Sequence, residues 1–240
     1  MTSVLVKSRQ EQALVEAKPH RWALSVWGCG FRQMARRWVV RRHVSRFCRP
    51  FELAGREHFS QISTPALIIA NHTSHFDTLI VLSTLPNWLY NRTAVAAAAD
   101  RFYTQALKGA WYSLRYNAFP ITRGGGKTAL AYSEWLLQTG WSLLFFPEGT
   151  RSRTGELLPF HAGPALLALR QKVPVLPIRI DGAASILPPG ARWSRPAPVR
   201  AEVGPPLTFE EGDSVMEATA KMEAAVRALG RKQPAQALTV

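Results

Sequence analysis

The chain has 240 residues, 47% of them hydrophobic, and carries 30 Lys and Arg against 16 Asp and Glu for a formal net charge of +14. That length holds one sizeable domain with an appendage, and the charge implies an anionic partner: nucleic acid, an anionic membrane surface, or an acidic protein or substrate. Two cysteines, Cys29 and Cys48, exclude a disulfide framework and a zinc-finger spacing, and fit a reduced cytoplasmic setting.

Met1 to Lys18 is polar and mixed in charge, with no apolar core of the kind a secretory signal needs. A short helix is expected near Glu11–Ala17, ended by Pro19. From Ala17 to Phe51 there is no acidic residue, while Arg21, Arg32, Arg36, Arg37, Arg41, Arg42, Arg46 and Arg49 alternate with Trp22, Trp27, Phe31, Met34 and Trp38. Phe31, Met34, Ala35 and Trp38 share a helical face, with Arg42 on the same line. Three readings stay open for this stretch: a helix lying in a membrane interface, a helix packed on the domain with a solvated basic face, and a nucleic-acid contact. No stretch reaches the ~18 to 20 apolar residues of a transmembrane helix.

Beyond it, strands are expected near Phe51–Leu53 and at Pro65–Ala70, then a helix from Phe76 to about Leu85. Thr93–Ala99 reads as a strand, Arg101–Leu114 as a helix and Asn117–Ile121 as a strand. Lys127–Gln138 is a helix closed by Thr139-Gly140, and Trp141–Phe146 a strand. Gly163–Gln171 is a helix with Pro164 in its first turn. Val173–Ile180 is a strand whose prolines, Pro174 and Pro177, suggest an edge or irregular position. A Pro/Gly-rich loop runs over Asp181–Pro198, followed by a strand at Val199–Val203 and a helix at Asp213–Leu229. This alternation predicts an α/β fold, a central mostly parallel sheet flanked by helices, with a basic amphipathic N-terminal helical segment. The expected division is 1–54 for the basic membrane-associating segment, 55–230 for the domain and 231–240 for a tail.

Three polar clusters interrupt these elements. Asn71-His72-Thr73-Ser74-His75-Phe76-Asp77 ends a buried strand and opens a helix, where open α/β folds place ligands. His72 and Asp77 can meet across that corner. Alternatively, Ser74 and Asp77 form a capping box and nothing more. A metal site on His72, His75 and Asp77 lacks a convincing further ligand. Arg123-Gly124-Gly125-Gly126-Lys127-Thr128 is no phosphate loop, because Ile121 stands where the first glycine is needed. It remains either a glycine-rich corner that could hold a phosphate or a flexible connection. Phe146-Pro147-Glu148-Gly149-Thr150-Arg151-Ser152 turns sharply after an apolar run and presents an acid, a hydroxyl and an arginine, with Arg153 next. A surface turn with a weak Glu148–Arg151 pair is the plain alternative.

Read together, over about residues 60 to 210, the clusters resemble the glycerophospholipid acyltransferase superfamily, of the 1-acyl-sn-glycerol-3-phosphate acyltransferase type. Asn71-His72 with Asp77 matches its first motif, Phe146 to Ser152 its third without change, and Val173-Pro174-Val175-Leu176-Pro177 its fourth. The second keeps Arg123 but has Thr122 where an acid is usual, and His161 stands where the family commonly has lysine. The resemblance makes 55–230 an acyltransferase domain. It implies that His72 is a general base on an acceptor hydroxyl, oriented by Asp77, and that the hydroxyl attacks the thioester of acyl-CoA or acyl-carrier protein. It implies an acceptor site of Arg123, Glu148, Gly149, Thr150 and Arg151, the arginines on phosphate and Glu148 on a glycerol hydroxyl. It further implies a lysophospholipid acceptor, most directly 1-acyl-sn-glycerol-3-phosphate giving phosphatidic acid, at the cytoplasmic face of an anionic membrane. No metal, no cofactor beyond the acyl donor and no nucleic acid are expected. Another lysolipid, an amino-acid-containing lipid, or a catalytically decayed membrane- or nucleic-acid-binding module are the alternatives.

Overall fold

The computed structural model describes residues 19–122, 126–188 and 191–230. The lead-in helix expected near Glu11–Ala17, the glycine corner from Arg123 to Gly125, and the tail lie outside the described residues.

Seven strands form one sheet in the order β1-β7-β6-β2-β5-β3-β4. They are β1 (Cys48–Ala54), β2 (Leu67–Ala70), β3 (Thr93–Ala98), β4 (Ala118–Ile121), β5 (Ser142–Phe145), β6 (Val175–Asp181) and β7 (Ala197–Val203). All neighbours pair parallel except β6 and β7. A sheet of this kind is covered on both faces, so its strands read as unbroken apolar runs. In β2, Ile68 and Ala70 face one core, with Val40, Val44 and Ile80, while Leu67 and Ile69 face the other, with Leu136, Leu167 and Met222. The chain leaves β2 toward β3 and leaves β5 toward β6, so the connections part on either side of the β2–β5 pair. A crevice at the strands' carboxyl ends follows from that reversal.

The helices are α1 (Val26–Ala35), α2 (Arg41–Phe47), α3 (Asp77–Thr84), α4 (Asn87–Tyr90), α5 (Ala99–Phe102), α6 (Ala106–Tyr116), α7 (Gly126–Gln138), α8 (Gly163–Gln171) and α9 (Val215–Leu229). Ser214 and Glu217 close a capping box on α9, which fixes its start one turn into the acidic run. Among the described residues no helix is long and apolar enough to cross a membrane.

Four expectations are corrected. The helix expected over Arg101–Leu114 is broken into α5 and α6, because the Tyr103 ring folds back over Gly109, where a Cβ would stand 2.7 Å from it. Its hydroxyl donates to the Ala118 carbonyl at 2.6 Å. Second, β6 is interior, between β7 and β2. Pro174 precedes the strand. Pro177 sits where its missing N–H costs no ladder bond, between the last β7 pair, Ile178 with Val203, and the bridge of Val175 with Leu207. Third, residues 48–54 are not appended to the domain: β1 lies in the sheet against β7.

The fourth concerns the N-terminal helix. α1 and α2 are joined by a π-helical turn, Arg36–Val40, into one continuous run. The face expected to be apolar is split, with Ala35 buried and Met34 and Trp38 exposed, while Arg32 and Arg36 are each only 5% exposed. Backbone carbonyls explain this inversion. Arg32 donates to Ala23 O, and Arg36 to Leu85 O and, at 2.8 Å, to Asn87 Oδ1. The Arg36 guanidinium also lies 4.2 Å from the centre of the Tyr90 ring.

Replacing Arg36 by Met keeps the volume but strands the buried Leu85 carbonyl. Urea denaturation should show a loss of about 2 kcal/mol; an unchanged midpoint would mean that this anchor carries no stability.

Candidate active site

The site begins with β2 running out of ladder. After Ala70, the Asn71 side chain takes over as a strand would, its Oδ1 accepting from Ile180 N–H at 2.7 Å and its Nδ2 donating to Ile180 O at 2.8 Å. His72 is thereby held at the carboxyl end of the central strands. The turn that follows is closed by one atom. Asp77 Oδ2 accepts from His72 Nδ1 at 2.8 Å, Thr73 N–H at 2.6 Å and Ser74 N–H at 2.7 Å. Asp77 is fully buried, and its other oxygen, Oδ1, has no partner among the described residues. The acid thus does half of what the capping box required, reaching back to Ser74 N–H, and also holds the imidazole. The His72 ring stacks on Phe146, centroids 4.4 Å apart. A carboxylate oxygen that already takes two N–H bonds can only accept, so Nδ1 carries the proton and Nε2 keeps its lone pair.

β5 brings the Phe146–Ser152 motif alongside. His72 O accepts from Ser152 N–H at 2.8 Å, and His72 N–H donates to Glu148 Oε1. Glu148 Oε2 accepts from Leu158 N–H at 2.9 Å. Burial raises the Glu148 carboxyl above its ordinary value, and the two backbone bonds pull the other way. Each Glu148 oxygen thus accepts one backbone N–H, and the residue braces one motif against the other. Gly149 adopts φ +65°, and a Cβ there would stand 2.8 Å from the His161 ring. His161, the family departure, thus packs against the turn itself.

His72, Gly149, Thr150 and Arg151 all line one cavity of about 430 Å³. His75 and Arg101 line it too, together with Val95 to Ala98 of β3 and Tyr112 and Tyr116 of α6. The run of alanines on β3 leaves room that larger side chains would fill. Burial, and then the charge of Arg101, lowers the Arg151 guanidinium. Burial, then Arg151 and Arg101, lowers the His75 imidazole. Neither arginine forms an ion pair among the described residues. Sequence reasoning missed Arg101; it sits inside an expected helix, and only the β3 register shows that it follows the cavity wall. Arg123, the other expected cation, lies outside the described residues. Among the described residues no group of three or more His, Cys, Asp and Glu could hold a metal.

A His–Asp pair and arginines at the carboxyl ends of the strands stand where open α/β sheets place their ligands. Residues 50–181 match the acyltransferase family, and the chain belongs to it. It is 30% identical over 166 residues to the 1-acyl-sn-glycerol-3-phosphate acyltransferase of Limnanthes douglasii, covering 68% of this chain and 56% of that protein. The enzyme of that name from Cocos nucifera is also 30% identical, over 68% of this chain and 51% of its own length. Human 1-acyl-sn-glycerol-3-phosphate acyltransferase alpha is 29% identical over 53% of this chain. The chain spans about half the length of these relatives. In fold it is similar to the crystal structure of the 1-acyl-sn-glycerophosphate (LPA) acyltransferase PlsC from Thermotoga maritima. The TM-score is 0.63 at 21% identity, over 93% of this chain and 97% of that one.

Glu148→Gln tests the bracing role. An amide accepts from one N–H but turns its own NH₂ on the other, so denaturation should register a loss of about 1–3 kcal/mol. A rise confined to the acceptor's KM, with stability intact, would return Glu148 to ligand binding.

Proposed function

We propose that the protein transfers a fatty acyl group from acyl-CoA or acyl-carrier protein to the free hydroxyl of a lysophospholipid, first among them 1-acyl-sn-glycerol-3-phosphate. The observation that carries this reading is the oriented His72–Asp77 pair at a cavity lined by guanidiniums and by apolar side chains. His72 Nε2 takes the proton of the acceptor hydroxyl as its oxygen bonds to the thioester carbonyl carbon. The tetrahedral oxyanion collapses, the C–S bond breaks, and the leaving thiolate takes the proton back from the imidazolium. Asp77 stabilises that imidazolium without itself being protonated, and Phe146 fixes the ring plane. Arg101 and Arg151 hold the acceptor phosphate, with Arg123 as a further cation from the sequence, while Gly149 and Thr150 shape the turn beside it. The apolar part of the lining takes an acyl chain.

An anionic membrane supplies the setting. Val26, Trp27, Met34 and Trp38 stand exposed on the N-terminal helical run, the arrangement of a helix that lies in a lipid interface with arginines at its flanks. Thr122 and His161 favour a second version in which the acceptor headgroup differs from the family's common one, since both adjoin residues assigned to it.

The test is transfer from labelled long-chain acyl-CoA and acyl-carrier protein to a panel of lysolipids. His72→Ala should abolish transfer, and Arg101→Ala should raise KM for lysophosphatidate about tenfold or more, as loss of a charge-assisted phosphate contact does. Transfer that survives His72→Ala would overturn the general-base mechanism. An unmoved KM in Arg101→Ala would remove the phosphate from this guanidinium.

A further inference from the structure

Helix α6 has two dissimilar sides. Gly109 and Ser113 are buried; Ser113 Oγ bonds His20 Nδ1 and the Tyr103 hydroxyl, each at 3.0 Å. Next to that side, Tyr112 and Tyr116 line the cavity. Leu107 and Trp111 are one turn apart and about half a turn round the helix from Gly109. They stand 88% and 53% exposed. Between them Lys108 donates to the Arg101 carbonyl at 2.8 Å, so the outer side is tied to the segment that carries a cavity guanidinium. α6 packs against α1, whose Val26 and Trp27 are 86% and 89% exposed.

A single exposed leucine needs no explanation. Here two helices in contact each keep an aliphatic residue and a tryptophan in water, and neither α6 nor the whole stretch from Ala17 to Phe51 contains an acid. Protruding Trp and Leu flanked by Lys and Arg is the composition of a surface that enters an anionic lipid interface. The net charge of +14 has the matching sign.

We propose that the outer side of α6 is a second lipid contact, seating Leu107 and Trp111 in an anionic phospholipid bilayer beside the N-terminal helix. The helix that contributes Tyr112 and Tyr116 to the cavity wall then lies at the lipid surface, and acyl chains reach the cavity along it. The lipid contact stands without the acyltransferase reading; the path into the cavity rests on it.

The experiment compares wild type with the Leu107→Ser/Trp111→Ser variant of the full chain, by co-sedimentation with phosphatidylglycerol-containing vesicles. The variant should partition roughly tenfold more weakly, from the lost burial of two apolar side chains. Equal partition overturns the proposal and leaves this side of α6 to another partner. Transfer to a soluble short-chain lysophosphatidate serves as the check on folding. Should the double variant not fold, Trp111→Phe replaces it: brominated lipid should quench less fluorescence in Trp111→Phe than in wild type, and equal quenching is again fatal. Failure of the acyltransferase reading is distinct, since it shows as absent His72-dependent transfer while the partition difference persists.

Discussion

The site depends on three hydrogen bonds to one oxygen. Asp77 Oδ2 gathers the N–H groups of Thr73 and Ser74 together with His72 Nδ1, so the same contact that shapes the turn orients the imidazole. A turn that changed its shape would lose the ring's orientation, and a ring that swung away would leave a buried carboxylate short of a donor. The latter costs more than the bond itself contributes, because an unpaired buried polar group keeps its full desolvation penalty. Structure and chemistry are therefore not separable at Asp77. Of the expected capping box only half forms: the helix starts at Asp77 with Phe76 at its N-cap, and Asp77 reaches back to Ser74 N–H.

The surrounding fold works to keep that arrangement dry and still. Asn71 replaces the ladder that β2 lacks beyond Ala70, and Glu148 bolts the β5 turn to the His72 backbone. The motif residues Asn71 and Glu148 thus both serve by holding backbone, each from a different neighbouring strand. The cations are treated in the opposite way. Burial, together with the charge of Arg101, lowers both the Arg151 guanidinium and the His75 imidazole across the cavity.

Much of this was legible. β2, β3 and β5 stood out as apolar runs because both faces of a parallel sheet are buried, and α8 was marked by Pro164. Their ends declared themselves through local chemistry. What stayed hidden depended on contacts distant in sequence. The break at Tyr103–Gln105 needs the Ala118 carbonyl as partner, and the interior place of β6 needs a gap in β7 at the height of Pro177. Nothing local to Glu148 shows that its two oxygens accept the N–H groups of Leu158 and His72. Arg101 was invisible for the reverse reason: an arginine in an expected helix carries no signal until β3 aims it.

The N-terminal run shows how periodicity misleads when a helix has two apolar environments to serve. Its spacing suggested one apolar face, yet the protein buries Arg32 and Arg36 and leaves Trp27, Met34 and Trp38 outside. Guanidiniums go inward because the carbonyls of Ala23 and Leu85 lack donors there, and an arginine can satisfy them while its stem packs as a hydrocarbon. The tryptophans are then free to meet something other than the core. Such an inverted helix is costly in water alone, since it exposes its largest apolar side chains and buries its charges. Its cost falls if the outward side meets lipid, and that holds equally for Leu107 and Trp111 on the helix packed beside it. On this view the arginines are the core-facing half of a membrane-facing device, and a count of hydrophobic residues on either face could not have revealed it.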